Sequence, residues 1–238
     1  AKYINSPETE FYKKGNMIFN LDKAKDTRSE TDEVLIVEGY MDVVSVYSSG
    51  VKNVIANSGT ALTERQISLI WKFFSNPIIC LDGDESGQKA ALRIAEKLFP
   101  LINEKNKIYF SILPDRTDPD DYIKQKGRDG LLNLLKEKVV IQSFIWNYYL
   151  SKIDQNNPYE ISKFEKEIKS LSYSIQDETL KKYVLEDFLE KIKKLTPIQS
   201  SRKDYKYSLY KKKKDYQILK ETKLLHQKRK DLSRIQII

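Results

Sequence analysis

Cysteine and histidine are almost missing from this sequence. Its 238 residues contain one cysteine, Cys80, and one histidine, His226. An intramolecular disulfide and a Cys/His zinc centre are therefore excluded, and neither Ser-His-Asp nor Cys-His catalysis has its parts in place, since His226 lies in a Lys-rich stretch far from any nucleophile. Any metal must rest on carboxylates. Glycine (8) and proline (7) are also scarce, which argues against collagen-like, linker-like or disordered composition for most of the chain. No apolar run approaches the roughly 18 to 20 residues that a membrane-spanning helix needs, and no charged-then-apolar start resembles a signal peptide. A soluble cytoplasmic protein with no membrane partner is the expectation.

Charge is present, but unevenly. The formal net charge is +8, yet from Arg202 onward there are 13 Lys/Arg against 4 Asp/Glu, so residues 1–201 are close to neutral. The basic character belongs to the tail and says nothing of a basic surface on the body. That tail carries a KKKK run at 211–214 with Tyr205, Tyr207, Tyr210 and Tyr216 interleaved. Two readings stand open for it: a stretch that follows a phosphate backbone and stacks bases, or a solvated helix.

The body alternates short apolar runs with helical spacing. Runs at 33–38 (EVLIVE), 53–56, 77–82 (PIICLD) and 107–113 (KIYFSIL) are separated by helices predicted over 40–48, 63–75 and 86–99, the second opened by a Thr63/Gln66 capping box. This is the pattern of right-handed βαβ units, hence an α/β fold with a parallel sheet covered on both faces. A polar entry segment precedes it, with one short helix expected over 11–24. From about Asp120 the pattern becomes helices only, over 119–126, 128–138, 141–153, 158–171 and 177–195, then a charged stretch over 202–234.

The ends of the apolar runs are acidic. Ligands of open parallel sheets bind beyond the carboxyl ends of the strands, and here the first strand ends in Glu38-Gly39, with Asp42 following, while the third ends in Asp82-Gly83-Asp84. Carboxylates two apart on extended backbone address the same side, so Asp82 and Asp84 suit one hard cation, with Gly83 allowing close approach. A further acidic run, LPDRTDPDDY at 113–122, places Asp118, Asp120 and Asp121 around Pro119 after the fourth strand. If that strand lies beside the third, a second metal position follows, and paired metals serve in-line phosphoryl or nucleotidyl transfer. Part of DGDESG also matches a calcium-binding EF-hand loop, but position 12 would be Arg93 and the preceding run is a strand.

Taken together, EGYMDV at 38–43, NSGTALT at 57–63, LDGDESGQKAA at 81–91 and LPDRTDPDDYI at 113–123 occur in the order and spacing of the TOPRIM domain, and each string resembles that of bacterial DnaG-type primases. KYINSPET at 2–9 and FYKKG at 11–15 resemble the segment that precedes TOPRIM in those primases. The resemblance implies a TOPRIM-type parallel sheet flanked by helices and followed by an α-helical C-terminal region. Residues 1–32 would end an N-terminal polymerase subdomain, 33–125 would form TOPRIM, 126–200 a helical subdomain, and 201–238 a basic tail or linker. It implies a DNA-directed RNA polymerase making short primers on single-stranded DNA from ribonucleoside triphosphates, working with a replicative helicase at nucleoid replication forks when full length. Two or more Mg²⁺ or Mn²⁺ ions would be its cofactors.

Carried over by position, Glu38, Asp42, Asp82 and Asp84 match the catalytic acids. Glu38, Asp82, Asp84, Asp118 and Asp120 match the metal-binding set. Lys2, Asn5, Ser6, Lys14 and Gly59 fall at nucleotide- or template-binding positions. Such primases begin with a zinc-binding domain and an earlier part of the core, which are not among these residues, so the chain is expected to be a fragment. A TOPRIM nuclease or topoisomerase-like enzyme, or a non-catalytic DNA-binding fragment, is the alternative.

Overall fold

A computed structural model describes residues 9–10, 13–57, 61–114 and 117–195. Six strands form one sheet in the order β1-β3-β2-β4-β5-β6: β1 (Ile18–Phe19), β2 (Glu33–Val37), β3 (Val54–Asn57), β4 (Asn76–Leu81), β5 (Tyr109–Ile112) and β6 (Val139–Val140). The four inner strands are the four predicted apolar runs, and they are parallel, with Leu35 beside Val54 and Ile78, and Ile79 beside Phe110. The sheet is nevertheless mixed, because β1 and β6 are antiparallel edges. The order reverses between β2 and β4: one crossover leads from β2 outward to β3, and another from β4 outward to β5.

Burial explains the continuous apolar runs. Val34, Leu35, Ile36 and Val37 are all buried, as are Ile78, Ile79, Cys80 and Leu81, which requires cover on both faces. On one face, Leu35, Val37, Val54, Ala56, Ile78 and Cys80 pack with Val43 and Val46 of α2 (Tyr40–Ser48) and Leu131 of α5 (Pro119–Lys136). Contacts of α4 (Glu85–Leu98) with β4 and with α6 (Ile141–Leu150), and of α6 with β5, build another layer. There Phe144 stacks on Phe110, with centroids 4.2 Å apart. Further out, Trp146 of α6 meets Phe164 of α7 (Pro158–Ser174) edge-on and stacks on Phe188 of α8 (Glu178–Leu195). The compact body extends to Phe188.

Two expectations are corrected. The stretch 13–24 is not one helix. It holds a 3₁₀ turn at Lys14–Asn16, then β1, then the four-residue α1 (Leu21–Ala24). Asn20 turns the chain in the left-handed region (φ 65°), and its side-chain amide donates to the Val54 carbonyl at 2.8 Å. Non-local pairing with β3 thus overrides the local helical pattern. Secondly, the region after Asp120 is not purely helical, because β6 pairs with Tyr109 and Phe110. The predicted helix break between 126 and 128 is present: Gly127 has φ 65° and ψ −172° inside α5. The Thr63/Gln66 box caps α3 (Glu64–Ile70), which ends five residues earlier than the spacing suggests. The charged stretch from Arg202 lies outside the described residues.

Candidate active site at the strand-order reversal

The reversal between β2 and β4 opens a crevice at the carboxyl ends of both strands, the place where open α/β sheets bind ligands. Glu38 leaves β2 directly into it. Gly39 caps α2 in extended backbone, and its N–H donates to Asp42 Oδ2 at 3.0 Å, so the Asp42 carboxylate folds back over the turn that carries Glu38. Asp82 follows β4. Asp84 caps α4, accepting from the Gly87 N–H at 2.7 Å through Oδ1. Asp118 repeats that arrangement at α5, accepting from the Asp121 N–H at 2.7 Å.

Gly83 locks the two acidic turns together. Its N–H donates to the Thr117 carbonyl at 3.2 Å. A Cβ there would collide with the carbonyl oxygens of Leu113 and Pro114. The close approach inferred for Gly83 from sequence is therefore made by the backbone that follows β5. Gly87 is similarly constrained, because a Cβ would strike the Asp82 carbonyl.

Electrostatics single out three carboxyls. Glu38 is raised above the ordinary carboxylate range by burial first, then by the charges of Asp42 and Asp84. Asp42 is pushed up to about 6 by burial, with Asp118, Asp82 and Asp120 adding to the rise and the Gly39 N–H opposing it. Asp82 is likewise pushed up to about 6, by burial and then by Glu38, Asp118 and Asp84. The neighbouring charges that raise each group are all carboxylates, brought in from three separate strand-to-helix junctions. Beneath them, burial followed by the charges of Asp42 and Asp82 drives the Cys80 thiol up to about 12.

A set of hard oxygen donors that repel one another fits a divalent cation, which would relieve the repulsion. Among the described residues, the acids whose ligand oxygens lie within 4.8 Å of one another are Asp118, Asp120 and Asp121. Asp121 is absent from the ligand set carried over from sequence, although its place in the DPDD run is the signal for it. Lys124 partly occupies this group, with its ammonium 2.6 Å from Asp120 and 3.8 Å from Asp121. Glu38, Asp82 and Asp84 share the same edge and field but do not meet that spacing. Lys14 sits on the 3₁₀ turn before β1, where its carbonyl accepts from Gln66 Nε2 at 3.2 Å. Lys2, Asn5, Ser6 and Gly59 lie outside the described residues.

Residues 32–110 match the Toprim domain, and this match takes in Glu38, Asp42, Asp82 and Asp84. The chain carries a Toprim domain of the DnaG-primase kind. It is 33% identical over 191 residues to the DNA primase of Rickettsia felis, covering 80% of this chain and 32% of that protein. It is 30% identical over 201 residues to the DNA primase of Escherichia coli strain K12, covering 84% and 35%. The structure of a DnaG primase catalytic domain bound to ssDNA superimposes with a TM-score of 0.75 at 30% identity, over 80% of this chain and 60% of that one. This Toprim chain thus spans about a third of the length of the curated relatives it matches. Among the described residues no helix is long and apolar enough to cross a membrane.

Proposed function

We propose that the chain is the Toprim-containing part of a primase core, making short RNA primers on a single-stranded DNA template from ribonucleoside triphosphates. The observation that carries this reading is the convergence of Glu38, Asp42, Asp82 and Asp118 on one crevice, where burial and mutual charge raise the first three. Such an edge suits a reaction in which phosphate charge is handled by cations and a hydroxyl must lose a proton. Asp82, Asp84, Asp118 and Asp120 would hold Mg²⁺ or Mn²⁺, two or more ions, with Glu38 as a further member. Bound there, the ions would neutralise phosphate charge and lower the pKa of the attacking hydroxyl.

The chain's own residues divide the remaining work. Glu38, with its raised proton affinity, is the acceptor for the 3′ hydroxyl proton. Asp42 is a positioning residue, since its carboxylate ties down the Gly39 N–H next to Glu38. Lys2, Asn5, Ser6, Lys14 and Gly59 would meet nucleotide or template. In the longer protein this activity would operate in the bacterial cytoplasm at replication forks, beside the replicative helicase. The segments 33–125 and 126–200 would be its Toprim and helical subdomains, with 1–32 closing the preceding subdomain and 201–238 a basic tail or linker.

The test is incubation of the chain with single-stranded DNA, labelled ribonucleotides and Mg²⁺ or Mn²⁺, with products resolved on a gel. Short RNA is expected from the parent, and Asp82→Asn should lower it by about 100-fold or more. Equal RNA from both proteins would remove Asp82 from the site. Cleavage of the DNA without nucleotides would replace the primase reading with a nuclease one.

A further inference from the structure

A second recess adjoins the acidic crevice. Its volume is about 400 Å³, and Glu38 and Asn57 line one part of it. Leu62, Leu81, Ala90 and Ile94 provide apolar lining, and Arg93 and Lys97 supply two cations. Arg93 and Lys97 stand four residues apart on α4 and so share one helix face. The Arg93 guanidinium donates from Nε to the Lys89 carbonyl at 3.3 Å, and Lys97 Nζ lies 3.5 Å from the Leu62 carbonyl, across the recess from its own helix.

The recess is polarised along α4. Arg93 lies nine residues beyond the cap Asp84, about 13 Å along the helix axis. The cations therefore occupy the end remote from the acidic turn, and Glu38 borders the same space. A free nucleoside triphosphate that directs its phosphates to ions on the acids would leave Arg93 and Lys97 facing its uncharged part. A nucleotide at the end of a strand matches the order of groups better. Its 5′ phosphate would meet the cations, its base the apolar lining, and its 3′ hydroxyl would face Glu38.

We propose that this recess seats the 3′-terminal nucleotide of the growing RNA strand, with Arg93 and Lys97 holding its 5′ phosphate. The inference rests on the reading of the acidic edge as a nucleotidyl-transfer site. Arg93 and Lys97 are exposed, so they can be replaced without disturbing the core. They bind and position the strand and touch no reacting atom.

Ligand-observed NMR titration of the full chain in EDTA, with guanosine 5′-monophosphate and guanosine, tests this separately from catalysis. The phosphorylated form should bind about fivefold more tightly, and Arg93→Gln/Lys97→Gln should erase that preference. Ala90→Phe, which fills the recess, should weaken both forms. Equal binding of the two forms by the parent, or a preference that survives the double replacement, would overturn the proposal. So would free GTP showing the same dependence on Arg93 and Lys97, which would make the recess a triphosphate seat. Failure of the primase reading would register instead in the incorporation gel, as cleavage of the DNA without nucleotides.

Discussion

The turns that follow β4 and β5 are built alike and charged differently. Each ends in an aspartate that caps a helix by accepting from the N–H three residues on, Asp84 from Gly87 and Asp118 from Asp121, both at 2.7 Å. The first turn adds Asp82, half sunk against the sheet and raised by other carboxylates. The second adds Asp120, itself half-buried, and the exposed Asp121, which share Lys124. The same capping chemistry can therefore present either an uncompensated carboxylate or one already met by a cation. The turn after β4 holds the stronger demand for an external ion, whereas the turn after β5 has the closer spacing.

The two turns touch at Gly83. Gly83→Ala drives a methyl into the Leu113 and Pro114 carbonyls, and no flexible side chain is there to yield. A loss of about 2–4 kcal/mol in urea unfolding is expected, of the size seen for overpacking and backbone strain, together with loss of the proposed primer synthesis. Retention of both stability and activity would mean that the turns work independently.

The first turn and the Asp42 beside it also respond to acidity. Asp42 and Asp82 have folded pKa values near 6, above the unfolded carboxylate range, so between about pH 4 and 6 the folded state binds more protons than the unfolded one. Stability contributed by the protonated forms is present at low pH and lost as pH rises through 6. After discounting for partial exposure the effect is on the order of 1 kcal/mol per group. Thermal unfolding from pH 4.5 to 7.5 should show this fall for the parent and a smaller one for Asp82→Asn. Millimolar Mg²⁺ should restore more at pH 7.5 than at pH 4.5, because ionised carboxylates are its ligands.

The smallest effect is expected at Lys124, whose ammonium is exposed beside Asp120 and Asp121. Lys124→Met should leave the urea midpoint unchanged, since surface ion pairs contribute little. It should nevertheless tighten Mn²⁺ binding by about twofold to threefold, measured by water-proton relaxation, by making the second turn electrostatically more like the first. A weakened Mn²⁺ affinity would show that Lys124 organises those acids instead of competing for them.

Much of the architecture is legible in the sequence because its strongest signals are local. Runs such as EVLIV and PIICL are buried on both faces, and no helical periodicity competes with them. Thr63 with Gln66, and Gly127 within α5, mark helix boundaries through side-chain and backbone chemistry that needs no distant partner. Both two-residue edge strands escape such reading. Ile18–Phe19 and Val139–Val140 are strands only because β3 and β5 offer them open edges.

The site divides along the same line. Glu38, Asp82 and Asp84 are visible as acids after apolar runs, and their nearness to Asp118 follows once β5 is placed beside β4. Two features are not visible in the same way. The constraint on Gly83 is set by the carbonyls of Leu113 and Pro114, some thirty residues away. Arg93 and Lys97, an unremarkable charged pair on a helix, gain meaning only from the recess in front of them.

Cys80 carries a different kind of consequence. It is the sole cysteine of the chain, wholly buried in β4, with its thiol held near 12 beneath the acids. Thiol reagents attack the thiolate, so modification must wait for the sheet to part around it. The protein thus contains its own single-site clock for opening at the centre of the fold, and a cation settled on the carboxylates above would make that clock run slow.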